Sequence, residues 1–488
     1  MQSHRLSLLV FLTLFVLVAR EGWCADRPHI VVILSDDAGY ADFGFSGGRV
    51  VPTPHIDAIA AGGARLTQFY TTASVCSPSR AGFLTGRYQQ RFGHHSNLTN
   101  DASRRGLGLD PGELTIADHL GARGYRTALV GKWHLGRAEE LVPTSRGFDV
   151  FAGLVAGSRS YFAIDEVDPV HTMLLAERRA DGTVEAAYLD EPALERGADE
   201  RFYVTEWMGD TAARVIREHA ARHPGEERPL FLFVSFTAPH TPMHALEDDL
   251  DAMKTIAPDL RQTYAAMMRS LDRAVGKITG ALSDAEIADD TLVMFFNDNG
   301  GATNNGSDNG RYRGMKGSKW EGGIRVPAAV RWPGRIEPGM DFTPIVSSMD
   351  FAATAVAAAG GAIEGAPPLD GRDLMPHLRS GGPWADTVVH EALYWERGPA
   401  AAVRAGPWKL IVTEPGEPLL FHIPADPSET TDLAEAYPDR VRSLLTRLEN
   451  WRCGMIAPLW TEGERWERNQ LEKHRMEVLG RDAERRFP

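Results

Sequence analysis

Cysteine is scarce: three residues in 488. The chain can form at most one disulfide, so a disulfide framework does not hold it together. Long apolar runs are missing too. The one stretch of note, Leu6–Val18, falls short of the ~20 residues that cross a bilayer, so no stable membrane span is expected. Positive charge is in deficit, with 52 Lys and Arg against 66 Asp and Glu and a formal net charge of -14. That argues against nucleic acid or an anionic membrane as partner. It does not exclude an anionic substrate, because a pocket can be basic on an acidic protein. Internal repeats and low-complexity tracts are also absent.

What remains is the composition of a globular protein, 43% hydrophobic and 24% charged. This length suits one large α/β domain with a smaller partner. His4 and Arg5 precede the apolar run, and Gly22, Cys24 and Ala25 follow it. This predicts an export signal over residues 1–25 and a periplasmic or secreted protein. Lipidation of Cys24 is the weaker alternative, since Glu21-Gly22-Trp23 matches a lipobox poorly. The larger domain is expected over 26–385 and a smaller α+β subdomain over 386–488.

Four short apolar runs read as buried strands, each ending in a polar cluster. His29–Leu34 leads into Asp36-Asp37, and Thr127–Val130 into Gly131-Lys132-Trp133-His134. Leu230–Phe236 leads into Pro239-His240, and Thr291–Phe296 into Asp298-Asn299. Helical patterns lie between them, at Ile56–Gly62, Leu114–Arg123, Glu206–His219 and Leu260–Leu282. This alternation predicts a mostly parallel sheet with helices on both faces. Ligands of open α/β sheets bind beyond the carboxyl ends of the strands, which is where these four clusters fall. Ala401–Val412 and Leu419–Ile423 predict a hairpin or small antiparallel sheet, followed by a helix over Pro438–Trp451. The span Ser158–Arg201 reads as an irregular, acid-rich loop that shapes access.

Asp36, Asp37, Asp298 and Asn299 offer three carboxylates and an amide oxygen. Such a set suits calcium, with magnesium second; zinc prefers His and Cys. A lone Asp-Asp pair is more often a turn or cap, but two such clusters after two apolar strands favour a metal.

Cys76 opens Cys76-Ser77-Pro78-Ser79-Arg80, which continues through Ala81-Gly82-Phe83-Leu84-Thr85-Gly86-Arg87. A second block runs from Gly124 through Lys132-Trp133-His134 to Gly136. With these blocks in order beside the metal pairs, the chain resembles the type I sulfatases of the alkaline-phosphatase-like superfamily, from about Pro28 to the segment Asp426–Thr430. The resemblance implies that fold: a large, mostly parallel mixed sheet flanked by helices, with a smaller C-terminal part. It also implies a sulfuric ester hydrolase whose Cys76 is oxidised to formylglycine by a maturation enzyme acting on Cys-x-Pro-x-Arg. Asp36, Asp37, Asp298 and Asn299 would hold calcium, which Cys76 faces as formylglycine. Arg80 would hold the hydrated aldehyde. Lys132 and His134 would sit beside the nucleophile, and His240 and Lys316 would contact the sulfate. Lys319, three residues on, is a decoy.

The chemistry needs these residue types. A sulfate monoester is an anion that resists anionic nucleophiles, so cations must neutralise its oxygens. An aldehyde hydrate has two hydroxyls on one carbon. One attacks sulfur, and the other, deprotonated by a base such as His134, later expels sulfate. His240 or Lys316 would protonate the departing alcohol. A carbohydrate or aryl sulfate is the expected substrate, a sulfated small molecule or glycan. The rivals are a phosphodiester or phosphonate ester hydrolase of the same superfamily and a non-catalytic binding protein with a relic site. A Cys76–Cys453 disulfide is the bland reading of the two cysteines left after signal removal. His94 and His95 are at most substrate contacts. Asn97-Leu98-Thr99 and Asn305-Gly306-Ser307 fit glycosylation sequons, and a glycan on the second would obstruct the metal pair.

Overall fold

The computed structural model describes residues 27–98, 106–179, 181–194, 201–222, 228–257, 259–302, 304–379, 381–384 and 386–475. The export signal and Cys24 lie outside the described residues. Within them, no helix is long and apolar enough to cross a membrane.

The large sheet holds β1 (His29–Ser35), β2 (Ala64–Tyr70), β3 (Arg126–Lys132), β4 (Val150–Leu154), β5 (Leu174–Arg178), β6 (Val184–Tyr188), β7 (Leu230–Ser235), β8 (Thr291–Asn297), β9 (Ala328–Arg331) and β10 (Met340–Ser347). Their order is β10-β2-β9-β8-β1-β7-β3-β4-β5-β6. The centre, β8-β1-β7-β3-β4, is parallel throughout, while β9, β5 and β6 run antiparallel to their neighbours. The four strands expected from their apolar runs are thus consecutive in the sheet.

Why β1 is apolar without a break follows from its two faces. Ile30, Val32 and Leu34 enter one core with Phe83, Leu120 and Phe351. Val31 and Ile33 enter the other with Ile56, Met208 and Leu271. Side chains alternate across a strand, so a strand covered on both sides must be apolar at every position. The helices Cys76–Thr85, Ile116–Gly121 and Ser348–Ala358 cover the first face; Pro54–Ala61, Val204–Arg222 and Leu260–Asp284 cover the second.

A small sheet follows: β11 (Leu393–Arg397), β12 (Ala400–Ala405), β13 (Trp408–Thr413) and β14 (Leu419–His422), antiparallel in that order. The Ala401–Val412 run is therefore two strands, because Gly406-Pro407 turns the chain between them. Trp395, Ala402, Ile411 and Phe421 pack on Tyr70 and Trp320. Val403, Leu410 and Leu420 pack on Leu444 and Leu448 of the helix Pro438–Arg452.

The irregular loop expected over Ser158–Arg201 is not wholly irregular. It contains the β5–β6 hairpin, which extends the sheet edge. Every residue of β6 is exposed, so Val184–Tyr188 lacks the alternation that marks a half-buried strand. The Cys76–Cys453 disulfide is not formed: both cysteines are free, the first buried and the second exposed.

Candidate active site

The ends of β8, β1, β7 and β3 form the floor of the site. Ser35 and Asn297 are register partners, so the residues after them emerge side by side. Asn299 Nδ2 donates to Asp37 Oδ1 at 2.8 Å, and the Asp37 N–H donates to Asp298 Oδ1 at 3.3 Å. Asp37 has φ 64° and His134 φ 60°. These left-handed conformations are uncommon outside glycine but tolerated by Asp and His, and here both turn the chain immediately after a strand.

Cys76 is the first residue of the helix Cys76–Thr85, and Pro78 lies in its first turn, where a missing N–H costs nothing. Arg80 stands one turn further on, on the same face as Cys76. This explains the spacing of the motif. Its guanidinium donates to Asp298 Oδ2 from Nη2 (3.0 Å) and Nε (3.2 Å), and Nη1 reaches the Lys132 carbonyl (3.1 Å) and Ser235 Oγ. Arg80 thus ties the helix to the ends of β8, β3 and β7. Ser77 Oγ donates to the His134 carbonyl and faces His94 Nε2 at 2.7 Å.

Three carboxylates meet three cations. Lys132 Nζ lies 2.5 Å from Asp36 Oδ2, Lys316 Nζ lies 2.7 Å from Asp37 Oδ1, and Arg80 Nη2 lies 3.0 Å from Asp298 Oδ2. Burial works to raise the Asp36 and Asp37 carboxyls. The cations, chiefly Lys132 on Asp36 and Lys316 on Asp37, nevertheless hold both below the usual range. Asp298 goes the other way, to about 7, through burial and the charge of Asp36. Burial pushes the Cys76 thiol far up, against Lys132 and Lys316. Lys316 is held well above the usual lysine value by Asp37 against its burial. His134 is pushed well down by burial and by Lys132, and His240 is lowered by burial against the pull of Asp37. Both imidazoles are therefore neutral near pH 7. His240 Nδ1 faces the Thr241 carbonyl at 2.7 Å. A carbonyl only accepts, so the proton sits on Nδ1 and Nε2 faces Asp37 Oδ2 at 3.4 Å.

Asp36, Asp37, Cys76 and His240 place potential ligand atoms within 4.8 Å of one another. For a hard cation the oxygens beside them are better donors than imidazole. Asn299 Oδ1 supports that choice: it is buried with no hydrogen-bond partner, a costly state that a cation would relieve.

Cys76, His134, His240 and Lys316 line a cavity of about 390 Å³. Cys76 Sγ lies 3.1 Å from Lys316 Nζ and 3.5 Å from Asp36 Oδ1. Gly157 packs on His134 so closely that a Cβ there would fall 2.6 Å from Nε2. Lys319 does not reach the cavity. Its buried Nζ meets Ser74 Oγ at 3.3 Å, and burial lowers it to about 7.

The chain belongs to the sulfatase family. The family's sequence model matches residues 28–362. Human arylsulfatase A is 32% identical over 477 residues, covering 90% of this chain and 89% of its own. Rat steryl-sulfatase is 33% identical over 432 residues, covering 76% and 73%. Among solved structures, Ps i-CgsB in complex with k-i-k-neocarrahexaose superposes with TM-score 0.77 at 28% identity, covering 92% of this chain and 97% of that one. The protein is a sulfuric ester hydrolase of the alkaline-phosphatase-like type.

Every residue expected from this sulfatase's sequence motifs falls in one cluster. His94 and His95 fall outside the cavity lining: His94 is wholly buried, and His95 Nε2 faces the Ile456 carbonyl at 3.0 Å. Asn305 is also wholly buried and donates to the Asp37 and Pro239 carbonyls, so in the fold it is a brace for the floor and no surface sequon. Sequence reasoning missed Glu462 and Trp466, which line the same cavity. No local pattern marks them, because their role arises only when the C-terminal segment packs back on the large domain.

Proposed function

We propose that this sulfatase releases sulfate from a carbohydrate sulfate monoester, with Cys76 matured to formylglycine and a calcium ion held by Asp36, Asp37, Asp298 and Asn299. The position of Cys76 carries the reading. Its Sγ lies within 3.5 Å of both the Lys316 ammonium and an Asp36 carboxylate oxygen, at the buried end of a cavity. A structural cysteine is usually packed among apolar groups and inert.

When present, the aldehyde hydrate supplies the attacking hydroxyl and the cation supplies positive charge beside it. Lys132 and Lys316 neutralise sulfate oxygens, and Arg80 fixes the carboxylates around them. Lys316 stays protonated, and its Nζ is beside Cys76, which favours it over neutral His240 as proton donor to the departing alcohol. His134 lines the cavity with Cys76, and that position makes it the proposed base. The carbohydrate preference draws on the k-i-k-neocarrahexaose bound by Ps i-CgsB and on the mixed polar and apolar lining of the cavity. Export through the N-terminal apolar segment belongs to the same reading.

The deciding experiment is peptide mass analysis around Cys76, on protein from a host with a maturation enzyme, with sulfate release assayed in parallel. The aldehyde mass together with released sulfate is expected. An intact thiol in fully active protein would overturn the nucleophile, and faster cleavage of phosphate diesters than of sulfate esters would overturn the substrate class. Chelation is expected to abolish turnover, and added calcium to restore it. Calcium that gave no heat of binding to the chelated protein would remove the ion from the account.

A further inference from the structure

The mouth of the cavity differs in character from its floor. Asn97, Leu98, Ser158, Glu462 and Trp466 line it. Among the described residues, Glu462 is the only ionisable group in this outer lining, and Arg397 neutralises it through a buried ion pair. The outer lining holds no cation among the described residues. Its apolar side chains, among the described residues, are Leu98 and Trp466. A neutral sugar ring fits this mixture: it has an apolar C–H face and a polar hydroxyl edge.

Trp466 is 46% exposed, whereas Trp133, Trp320 and Trp395 are each 1% exposed. It stands near the start of the helix Glu464–Arg475, whose sequence ERWERNQLEKHR is otherwise strongly polar. The last turn of that helix is pinned to the loop of Lys316. Lys473 Nζ donates to the Lys316 carbonyl at 2.9 Å, the Lys319 N–H donates to His474 Nε2 at 2.8 Å, and Trp320 Nε1 donates to the His474 carbonyl at 3.2 Å. The same helix therefore carries the indole and is tied to the loop of Lys316. Lys316 and Trp466 line the same cavity, and seven residues of helix, a rise of about 10 Å, separate Trp466 from Lys473.

We propose that Trp466 is the specificity platform of the enzyme, stacking on the sugar ring that carries the sulfate while Glu462 accepts from its hydroxyls. This rests on the carbohydrate reading above and extends it to the ring that carries the sulfate. Aromatic stacking of this kind is worth about tenfold or more in affinity.

The test compares wild type, Trp466→Ala and Trp466→Phe, all matured, on a panel of monosulfated monosaccharides, with inorganic sulfate as a competing ligand of the floor. Trp466→Ala is expected to raise KM for the preferred sugar about tenfold or more, leave kcat within about threefold, and leave the inhibition constant of inorganic sulfate unchanged. Trp466→Phe keeps most of the wild-type KM. An unchanged KM in Trp466→Ala, or sulfate inhibition weakening in step with KM, overturns the platform alone. A wild type that cleaves aryl sulfates but none of the sugars overturns the carbohydrate reading and the platform with it.

Discussion

Cys76→Ala is expected to lower sulfate release by at least about 10⁴-fold while leaving the protein folded. The thiol is buried, and alanine offers nothing for a maturation enzyme to oxidise. The change removes one sulfur atom from a packed position, which costs about 1 kcal/mol. Lys316 keeps its contact with Asp37, and Arg80 keeps its contacts with Asp298 and Lys132, so the charge cluster survives. Cys453→Ala is the matched control. Cys453 is exposed and caps the end of the helix Pro438–Arg452, and its loss should change neither turnover nor the thermal midpoint. Sulfate release and thermal unfolding, measured on both variants, separate chemistry from stability. A Cys76→Ala protein retaining more than about 1% of wild-type turnover would remove Cys76 from the reaction.

Lys409→Met is expected to destabilise the protein by about 3–5 kcal/mol, the usual effect of leaving buried carboxylates without their partner. Lys409 on β13 is wholly buried, with Nζ 2.9 Å from Glu321 Oε1 and 2.8 Å from Glu429 Oε1. Glu429 Oε2 accepts from the Glu321 N–H at 2.7 Å, and Tyr70 Oη donates to Glu321 Oε2 at 2.8 Å. Burial works to raise Glu321, but Lys409 and Arg325 hold it down to about 2. Burial, with the repulsion of Glu321, raises Glu429 from 4.5 to about 7. The signs follow by linkage. The contribution of Glu429 is complete below pH 4.5 and is lost as pH rises through about 7; that of Glu321 is lost only as pH falls through about 2. Without Lys409 both groups hold protons more tightly, so the loss in the variant grows from pH 5 to pH 8. Denaturant unfolding at those two pH values measures it. A loss under about 1 kcal/mol at pH 8 would mean that Arg325 and Tyr70 suffice. Adding Glu429→Gln to Lys409→Met should recover part of the stability, because one uncompensated charge is gone.

The chemical floor of the site was legible because its residues sit in short contiguous blocks. Cys76 and Arg80 are one helical turn apart, and Asp36-Asp37, Lys132, His240 and Asp298-Asn299 each follow an unbroken apolar run. Such runs report strands buried on both faces, and the carboxyl ends of such strands are where ligands bind. The decoy Lys319 could be set aside only by family position; the fold separates it from Lys316 by sending its ammonium to Ser74. The β5–β6 hairpin escaped detection because β6 buries no face, and periodicity reports burial rather than pairing.

The amino-acid sequence by itself determined which residues could do the chemistry, which faces of β1, β3, β7 and β8 must be covered, and that a mostly parallel sheet would carry them. Only the tertiary structure decided that these four strands are neighbours, that Lys316 and Cys76 lie 3.1 Å apart across 240 positions, and that the C-terminal helix returns to place Trp466 at the cavity mouth. The reason is physical. Local patterns record what each segment must bury, whereas the choice of partner depends on the summed burial and hydrogen bonding of the whole chain, which no single window of sequence contains.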